Sequence, residues 1–113
     1  MSASTEEEVD IIEIDVEKLK RMQMLHVNFL IFDVRAKDDY EKAHIPAALH
    51  IPKESFLEKL PQMVPKKDTP IVLYDHDGVH SAHLVEEIEK TGYFNIVNLV
   101  GGYQAYAATL KSV

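Results

Sequence analysis

The sequence contains no cysteine and no tryptophan, and its 113 residues include only four glycines and five prolines. Without cysteine, the chain has no disulfide, no thiolate nucleophile and no thiol redox switch. A chain of this length buries roughly two-thirds of its unfolded surface, which is enough for one hydrophobic core. We therefore expect one globular domain that folds without disulfides or a structural zinc ion.

Long hydrophobic runs are also missing. No apolar segment approaches the ~20 residues of a membrane span. The first residues are acidic and polar, whereas a signal peptide has a basic start followed by an apolar stretch. We therefore expect no membrane partner and a cytoplasmic location.

Lysine and arginine are absent from the first 17 residues, and the acidic residues there account for the whole formal net charge of −7. The remainder of the chain carries equal numbers of acidic and basic side chains. We interpret residues 1–9 as a flexible acidic N-terminus and residues 10–113 as the folded domain. Because no cluster of basic residues is available to bind phosphates, we expect no nucleic-acid partner.

Short apolar runs alternate with segments of helical periodicity along the chain. The runs predict strands over residues 11–14, 29–34, 71–74 and 96–100, with a short strand near the end of the proline-bracketed loop 44–52. The periodic segments predict helices that start after Asp15, at Lys37, at Glu54, at Ser81 and at Tyr103. This alternation predicts a three-layer α/β domain with a roughly five-stranded parallel sheet flanked by helices.

One polar turn stands out as a candidate site, because it joins a buried strand to a helix at the sheet edge where ligands bind in such folds. We call it the 75–80 loop; its residues are Asp75, His76, Asp77, Gly78, Val79 and His80. A turn of this kind gathers backbone N–H groups around one point and forms an anion cradle. Asp75 opens the loop, where its carboxylate could fold back into that cradle.

The chain resembles the rhodanese-like domains at several separate motifs in the right order. They are Phe32-Asp33-Val34-Arg35, Tyr40 followed by His44-Ile45-Pro46-Ala47-Ala48, and the closing stretch from Gly92 to Gly102. The resemblance implies a rhodanese-like fold. It also implies a six-residue loop that opens with a catalytic cysteine and usually ends in arginine in active members.

This chain departs from the family pattern at the loop. Asp75 stands at the cysteine position and His80 at the arginine position, while Gly78 and Ser81 are kept. Ala47 replaces the usual glycine, and Tyr106 replaces the usual tryptophan. An aspartate cannot accept sulfane sulfur, since that step needs a polarizable thiolate. We therefore predict a domain without sulfurtransferase activity or cofactor, which acts as a binding or regulatory module for an unknown protein partner.

Two alternatives remain open from the residues alone. Asp75, Asp77, His80 and His83 could form a metal site, since His80 and His83 share a helical face. The loop could also bind a sulfur compound or another anion without covalent chemistry. In the main interpretation, we expect the protein contact around residues 75–80 and 44–52.

The other polar and aromatic candidates are predicted to be structural. We expect Asp33 and Arg35 to form an ion pair that supports the loop. We expect Ser81 to hydrogen-bond at the helix start. The remaining candidates are hydrogen-bonded histidines and core aromatics, namely His44, His50, Tyr103 and Tyr106.

Overall fold

A computed structural model describes residues 12–110, so the boundary expected near residue 9 lies outside the described part of the chain. The strands are β1 (Glu13–Ile14), β2 (Leu30–Asp33), β3 (Leu49–His50), β4 (Ile71–Tyr74) and β5 (Ile96–Leu99). The α-helices are α1 (Val16–Met24), α2 (Lys37–Lys42), α3 (Phe56–Met63), α4 (Val79–Glu89) and α5 (Gly102–Ala108). A single 3₁₀ turn, Lys53–Ser55, precedes α3.

The five strands form one parallel sheet in the order β1-β5-β4-β2-β3. Strands β2 and β4 lie in the middle and pair from Leu30 with Ile71 to Asp33 with Tyr74. Their sequences are apolar except for Asp33 at the end of β2, which suits this position, because a strand inside a parallel sheet is covered on both faces. The expected α/β architecture with a five-stranded parallel sheet is confirmed.

Two hydrophobic clusters lie on opposite faces of the sheet. One contains Phe32 and Leu73 with residues of α3 and α4, such as Phe56 and Ile88. The other contains side chains of the opposite face with residues of α1, α5 and the 45–48 segment; its members include Ile31, Val72, Leu19, Tyr106 and Ile45. Since neighbouring strand residues point to opposite faces, the sheet forms the middle of three layers.

The helix after the 75–80 loop begins earlier than predicted. The sequence suggested a start at Ser81, whereas α4 starts at Val79, directly after Gly78 in the left-handed conformation (φ 90°). The Asp75 carboxylate accepts the N–H groups of His80 and Ser81. It thereby satisfies first-turn donors that would otherwise lack partners, and the helix extends back into the loop.

Smaller differences concern other element ends. The segment predicted as a helix from Glu54 begins as the 3₁₀ turn Lys53–Ser55, and the α-helix proper starts at Phe56. The last helix includes Gly102 and ends at Ala108. Asp15 caps α1 as expected, since its side chain accepts the Lys18 N–H at 2.8 Å. Among residues 12–110, no helix combines the length and apolar character needed to cross a membrane.

Candidate functional site

The 75–80 loop lies at the carboxyl end of β4, and Asp75 fills its centre. The Asp75 side chain is buried, and its Oδ2 accepts the His80 N–H at 2.9 Å and the Ser81 N–H at 3.2 Å. Its Oδ1 accepts the Gly78 N–H at 2.5 Å. The carboxylate therefore occupies the ring of backbone donors, in the position predicted from the sequence, and its charge is met by amide dipoles.

The backbone of the loop is fitted against the turn that precedes α5. The Asp75 carbonyl accepts the Tyr103 N–H at 2.8 Å, and the His76 carbonyl accepts the Gln104 N–H at 2.9 Å. A Cβ at Gly102 would lie 2.5 Å from the Asp75 carbonyl oxygen, which is closer than two such atoms can approach. Only glycine at position 102 permits this packing, so the two-glycine turn fixes the shape of the loop.

A buried polar network supports the loop from beneath. The Ser81 hydroxyl lies 3.0 Å from Asp75 Oδ1 and 2.5 Å from Asn98 Oδ1, and its single hydrogen serves one of them at a time. The Asn98 amide donates to the Gly78 carbonyl at 3.1 Å and to Glu13 Oε2 at 3.2 Å. Ser81 and Asn98 are both fully buried. The network joins the loop to β5 and β1.

Asn98 was missed as a site residue in the sequence. A usable signal was present, because an amide inside the apolar run of a buried strand must find hydrogen-bond partners. Its partners could not be predicted, since they come from β1 and from the loop, which are distant in the chain.

Asp33 and Arg35 form the predicted ion pair beside the loop. The fully buried Asp33 carboxylate accepts the Arg35 backbone N–H at 2.8 Å, and the guanidinium binds both carboxylate oxygens at 2.8 to 3.1 Å. Arg35 also donates to the Ala43 carbonyl and lies 4.2 Å over the Tyr103 ring. Tyr103 therefore packs on the cation as well as on the core.

Burial and the neighbouring charges shift the pKa values in this cluster. Burial disfavours the charged form of Arg35, but the hydrogen bonds and the charge of Asp33 outweigh it and raise the pKa of Arg35 above its usual value. Burial, followed by the interaction with Asp33, raises the pKa of Tyr74 far above its ordinary range. The Tyr74 hydroxyl thus keeps its proton at pH values where an exposed tyrosine ionises, and it accepts the Ile45 N–H at 3.1 Å.

The two histidines of the 44–52 loop stack on the same tyrosine. The rings of His44 and His50 lie 4.0 and 4.6 Å from the Tyr40 ring, one on each side. A ring nitrogen of His44 meets the Tyr40 carbonyl, and one of His50 meets the Arg35 carbonyl, both at 2.8 Å. Their assignment as hydrogen-bonded structural residues agrees with this geometry.

Ala47 adopts the backbone conformation expected of the glycine that it replaces. Its φ of 73° lies in the left-handed region, which disfavours any side chain with a Cβ. A residue with a Cβ in this region carries some backbone strain. Pro46, Ala47 and Leu49 line a groove at the opposite end of the strands from the 75–80 loop. The prediction that residues 75–80 and 44–52 form the contact surface for a partner stays a prediction.

The residues of the metal alternative do not converge. The Asp75 carboxylate is occupied by the loop amides, and His80 Nδ1 lies 3.8 Å from it, with a largely exposed ring. The exposed His83 ring is instead nearest to Glu86, at 3.9 Å. Within residues 12–110, no three His, Asp or Glu side chains are arranged to hold a metal ion.

A cleft of about 460 Å³ opens beside the loop. The first turn of α2 and the 3₁₀ turn before α3 form its other walls; its lining residues include Asp39, Lys53, Glu54, Asp75, Asp77 and His80. Such a volume is typical of binding pockets. The structure thus brings the predicted loop, Arg35 and two turns not singled out in the sequence to one concave surface.

A comparison with known protein families identifies the family to which the chain belongs. The family model described as "Rhodanese-like domain" matches residues 15–109 of this chain. The chain belongs to the rhodanese-like domain family. It therefore shares the family fold, as the motifs around Asp33, Pro46 and Gly101 predicted.

Two curated relatives carry names from sulfur chemistry. A "Thiosulfate sulfurtransferase GlpE" of Coxiella burnetii is 30% identical over 83 residues, which cover 72% of this chain and 74% of that protein. A "Putative sulfur carrier protein YrkF" of Bacillus subtilis is 33% identical over 99 residues; the match covers 88% of this chain and 52% of that protein.

Solved rhodanese-like structures are similar to this one over most of its length. The Alr3790 protein of Anabaena superposes with a TM-score of 0.79 at 25% identity, covering 85% of this chain and 77% of that chain. A rhodanese-like domain protein of Staphylococcus aureus superposes with a TM-score of 0.73 at 28% identity, with coverages of 84% and 90%. These similarities support the rhodanese-like fold independently of the sequence motifs.

Proposed function

We propose that this rhodanese-like domain does not transfer sulfur and acts as a binding or regulatory module. One observation carries the proposal: the carboxylate of Asp75 occupies the backbone N–H groups of the 75–80 loop. In the active members that this chain resembles, the same loop opens with cysteine. The loop is therefore intact as an anion cradle, but it is filled by a side chain of its own.

The chemistry of sulfur transfer requires a thiolate. A thiolate attacks the outer sulfur of thiosulfate, a new S–S bond forms, the original S–S bond breaks, and sulfite leaves with the electron pair. The resulting persulfide then gives its outer sulfur to an acceptor. A carboxylate is a hard oxygen nucleophile and does not hold sulfur in this way. Since the sequence contains no cysteine, no other residue replaces the missing thiolate.

The non-covalent anion alternative is less well supported by the geometry. The backbone amides of Gly78, His80 and Ser81 already donate to Asp75, so an incoming sulfate or thiosulfate would have to displace a buried carboxylate of the same charge sign. The metal alternative gains no support, because within residues 12–110 no three His, Asp or Glu side chains are arranged to hold a metal ion, and the His83 ring lies beside Glu86. A protein partner, with neither nucleic acid nor membrane, remains our proposal for what the module contacts.

A thiosulfate:cyanide sulfurtransferase assay tests the proposal. We expect no thiocyanate from the wild-type protein and measurable turnover from Asp75→Cys, with one added sulfur atom on the variant by mass spectrometry. Asp75→Ser is the matched control, since it removes the same carboxylate but supplies no thiolate, and it should be inactive. Thiocyanate production by the wild-type protein would overturn the proposal.

A further inference from the structure

The cleft beside the 75–80 loop carries an excess of negative charge. Four carboxylates belong to its lining, namely Asp39, Glu54, Asp75 and Asp77, against the cations Arg35 and Lys53. The Arg35 charge is matched by Asp33, which binds it through both oxygens. Lys53 is thus the one lysine or arginine of the described lining that is free to offset the carboxylates.

The filled loop decides which sign of ligand the cleft accepts. In a loop with vacant amides, the N–H groups would attract an anion into the cleft. Here three of these amides already point at the Asp75 carboxylate. The donors are therefore used, and the carboxylates of Asp39, Glu54 and Asp77 belong to the lining of the cleft beside them.

The shape of the cleft matches a long cationic side chain better than a bare ion. Its volume of about 460 Å³ far exceeds that of a metal ion, and its lining includes the exposed, apolar Ala36. Arginine and lysine combine an aliphatic stem with a charged end group, so they satisfy both parts of such a surface. Val79, which is exposed at the start of α4, adds apolar surface next to the loop.

We propose that this cleft binds a basic segment of a partner protein, with an arginine side chain directed at Asp39, Glu54 and Asp77. The inference rests on the proposed binding function and gives the partner a defined chemistry. The proposed ligand is positively charged, whereas an empty anion cradle in the same fold would select a negatively charged ligand.

Two-dimensional amide NMR of the labelled protein tests this inference. The probe is an acetylated and amidated peptide of sequence Gly-Arg-Gly-Arg-Gly, and the control peptide has glutamate in place of both arginines. We expect saturable shifts at the amides around Asp39, Lys53 and His76 with the arginine peptide only, weakened by added sodium chloride. Absence of these shifts, equal shifts with the glutamate peptide, or the same saturable shifts with magnesium chloride alone would overturn the inference.

A pair of double variants separates the cleft from general electrostatics. Asp39→Asn with Glu54→Gln removes two lining charges and should raise the peptide dissociation constant about fivefold, as expected for two exposed ionic contacts. Asp38→Asn with Glu58→Gln removes two charges from neighbouring exposed positions outside the lining. It should change the constant less than about twofold, since these carboxylates lie outside the cleft lining and salt weakens the effect of exposed charges. Equal weakening by both variants would contradict the inference.

Failure of this inference and failure of the proposed function give different results. A wild-type protein that forms thiocyanate contradicts the absence of sulfur transfer, whatever it binds. A protein that forms no thiocyanate and does not bind the arginine peptide contradicts only the proposal of a basic partner segment.

Discussion

Asp33 and Asp75 are two buried carboxylates at the same edge of the sheet, and their charges are compensated in different ways. Asp33 ends β2 and is matched by the guanidinium of Arg35. Asp75 follows β4, the neighbouring strand, and is matched by three backbone amides and the Ser81 hydroxyl. Neither side chain is more than 7% exposed.

The two carboxylates differ in the groups that compensate their charge. The Asp33 pair depends on one other side chain, so a single substitution leaves an uncompensated buried charge. In the loop, the Asp75 carboxylate is the acceptor for the backbone amides. The positions of these amides are fixed by the backbone itself and by its close packing against Gly102. Removal of Asp75 therefore exposes a vacant set of donors, which another anion can fill.

The largest effect is expected for Asp33→Asn. Arg35 would keep its charge inside the protein without a counter-ion, and we expect a loss of about 3 kcal/mol in the free energy of unfolding. Urea denaturation followed by circular dichroism measures it. Asp38→Asn, on the exposed side of α2, should change stability by less than about 0.5 kcal/mol. A comparable small loss for Asp33→Asn would show that the ion pair contributes little.

A smaller loss is expected for Asp75→Ala, about 2 kcal/mol, because buried N–H groups lose their acceptor. This loss should be partly reversed by sodium sulfate, since an anion that binds only the folded cradle stabilises it by mass action. Sulfate also stabilises proteins in general, and wild type and Asp33→Asn measure that background. Equal sulfate effects in all three proteins would contradict the existence of a preformed cradle.

Alkaline pH should produce the smallest effect, through Tyr74. Because its pKa is raised in the folded state, the folded protein retains a proton that the unfolded chain releases near pH 10. The stability from this proton is complete below about pH 10 and is lost as the pH rises further. We expect Tyr74→Phe to lower stability at pH 7 by about 1 kcal/mol, through the lost contact with the Ile45 amide.

The pH dependence distinguishes this origin of stability from simple packing. Urea midpoints of wild type and Tyr74→Phe should converge as the pH is raised above 10. Tyr93 and Tyr106, whose pKa values burial also raises, contribute equally to both proteins. Parallel midpoint curves at all pH values would show that the Tyr74 hydroxyl is not coupled to folding.

The sequence was sufficient for the parts of the site that follow from local pattern. The apolar runs of β2 and β4 placed Asp33 and Asp75 at strand ends, and parallel pairing placed those ends together. The loop position of Asp75 and the pairing of Asp33 with Arg35 were therefore predictable. Both are short-range features, since the hydrogen-bonded residues are separated by at most six positions.

Other features depend on contacts between distant segments and could not be predicted. The Asn98 network joins three parts of the chain, and the stack of His44, Tyr40 and His50 depends on how the 44–52 loop folds over α2. The early start of α4 was missed because the prediction used the spacing of apolar side chains. The first turn is instead stabilised by hydrogen bonds to Asp75, which precedes the helix. The acidic cleft requires the 3₁₀ turn at Lys53–Ser55, which the sequence suggested as ordinary helix.

The strand order determines when, during synthesis, the 75–80 loop becomes hydrogen-bonded to β5. Strand β1 pairs with β5, so β1 stays without this neighbour until β5 has left the ribosome. Strands β2, β3 and β4 can pair earlier, since all three are synthesised before β5. Asn98 lies on β5 and links Glu13 to the loop carbonyl of Gly78. During synthesis, the 75–80 loop is thus made before its link to β5 and β1, and this link forms only after β5 has left the ribosome.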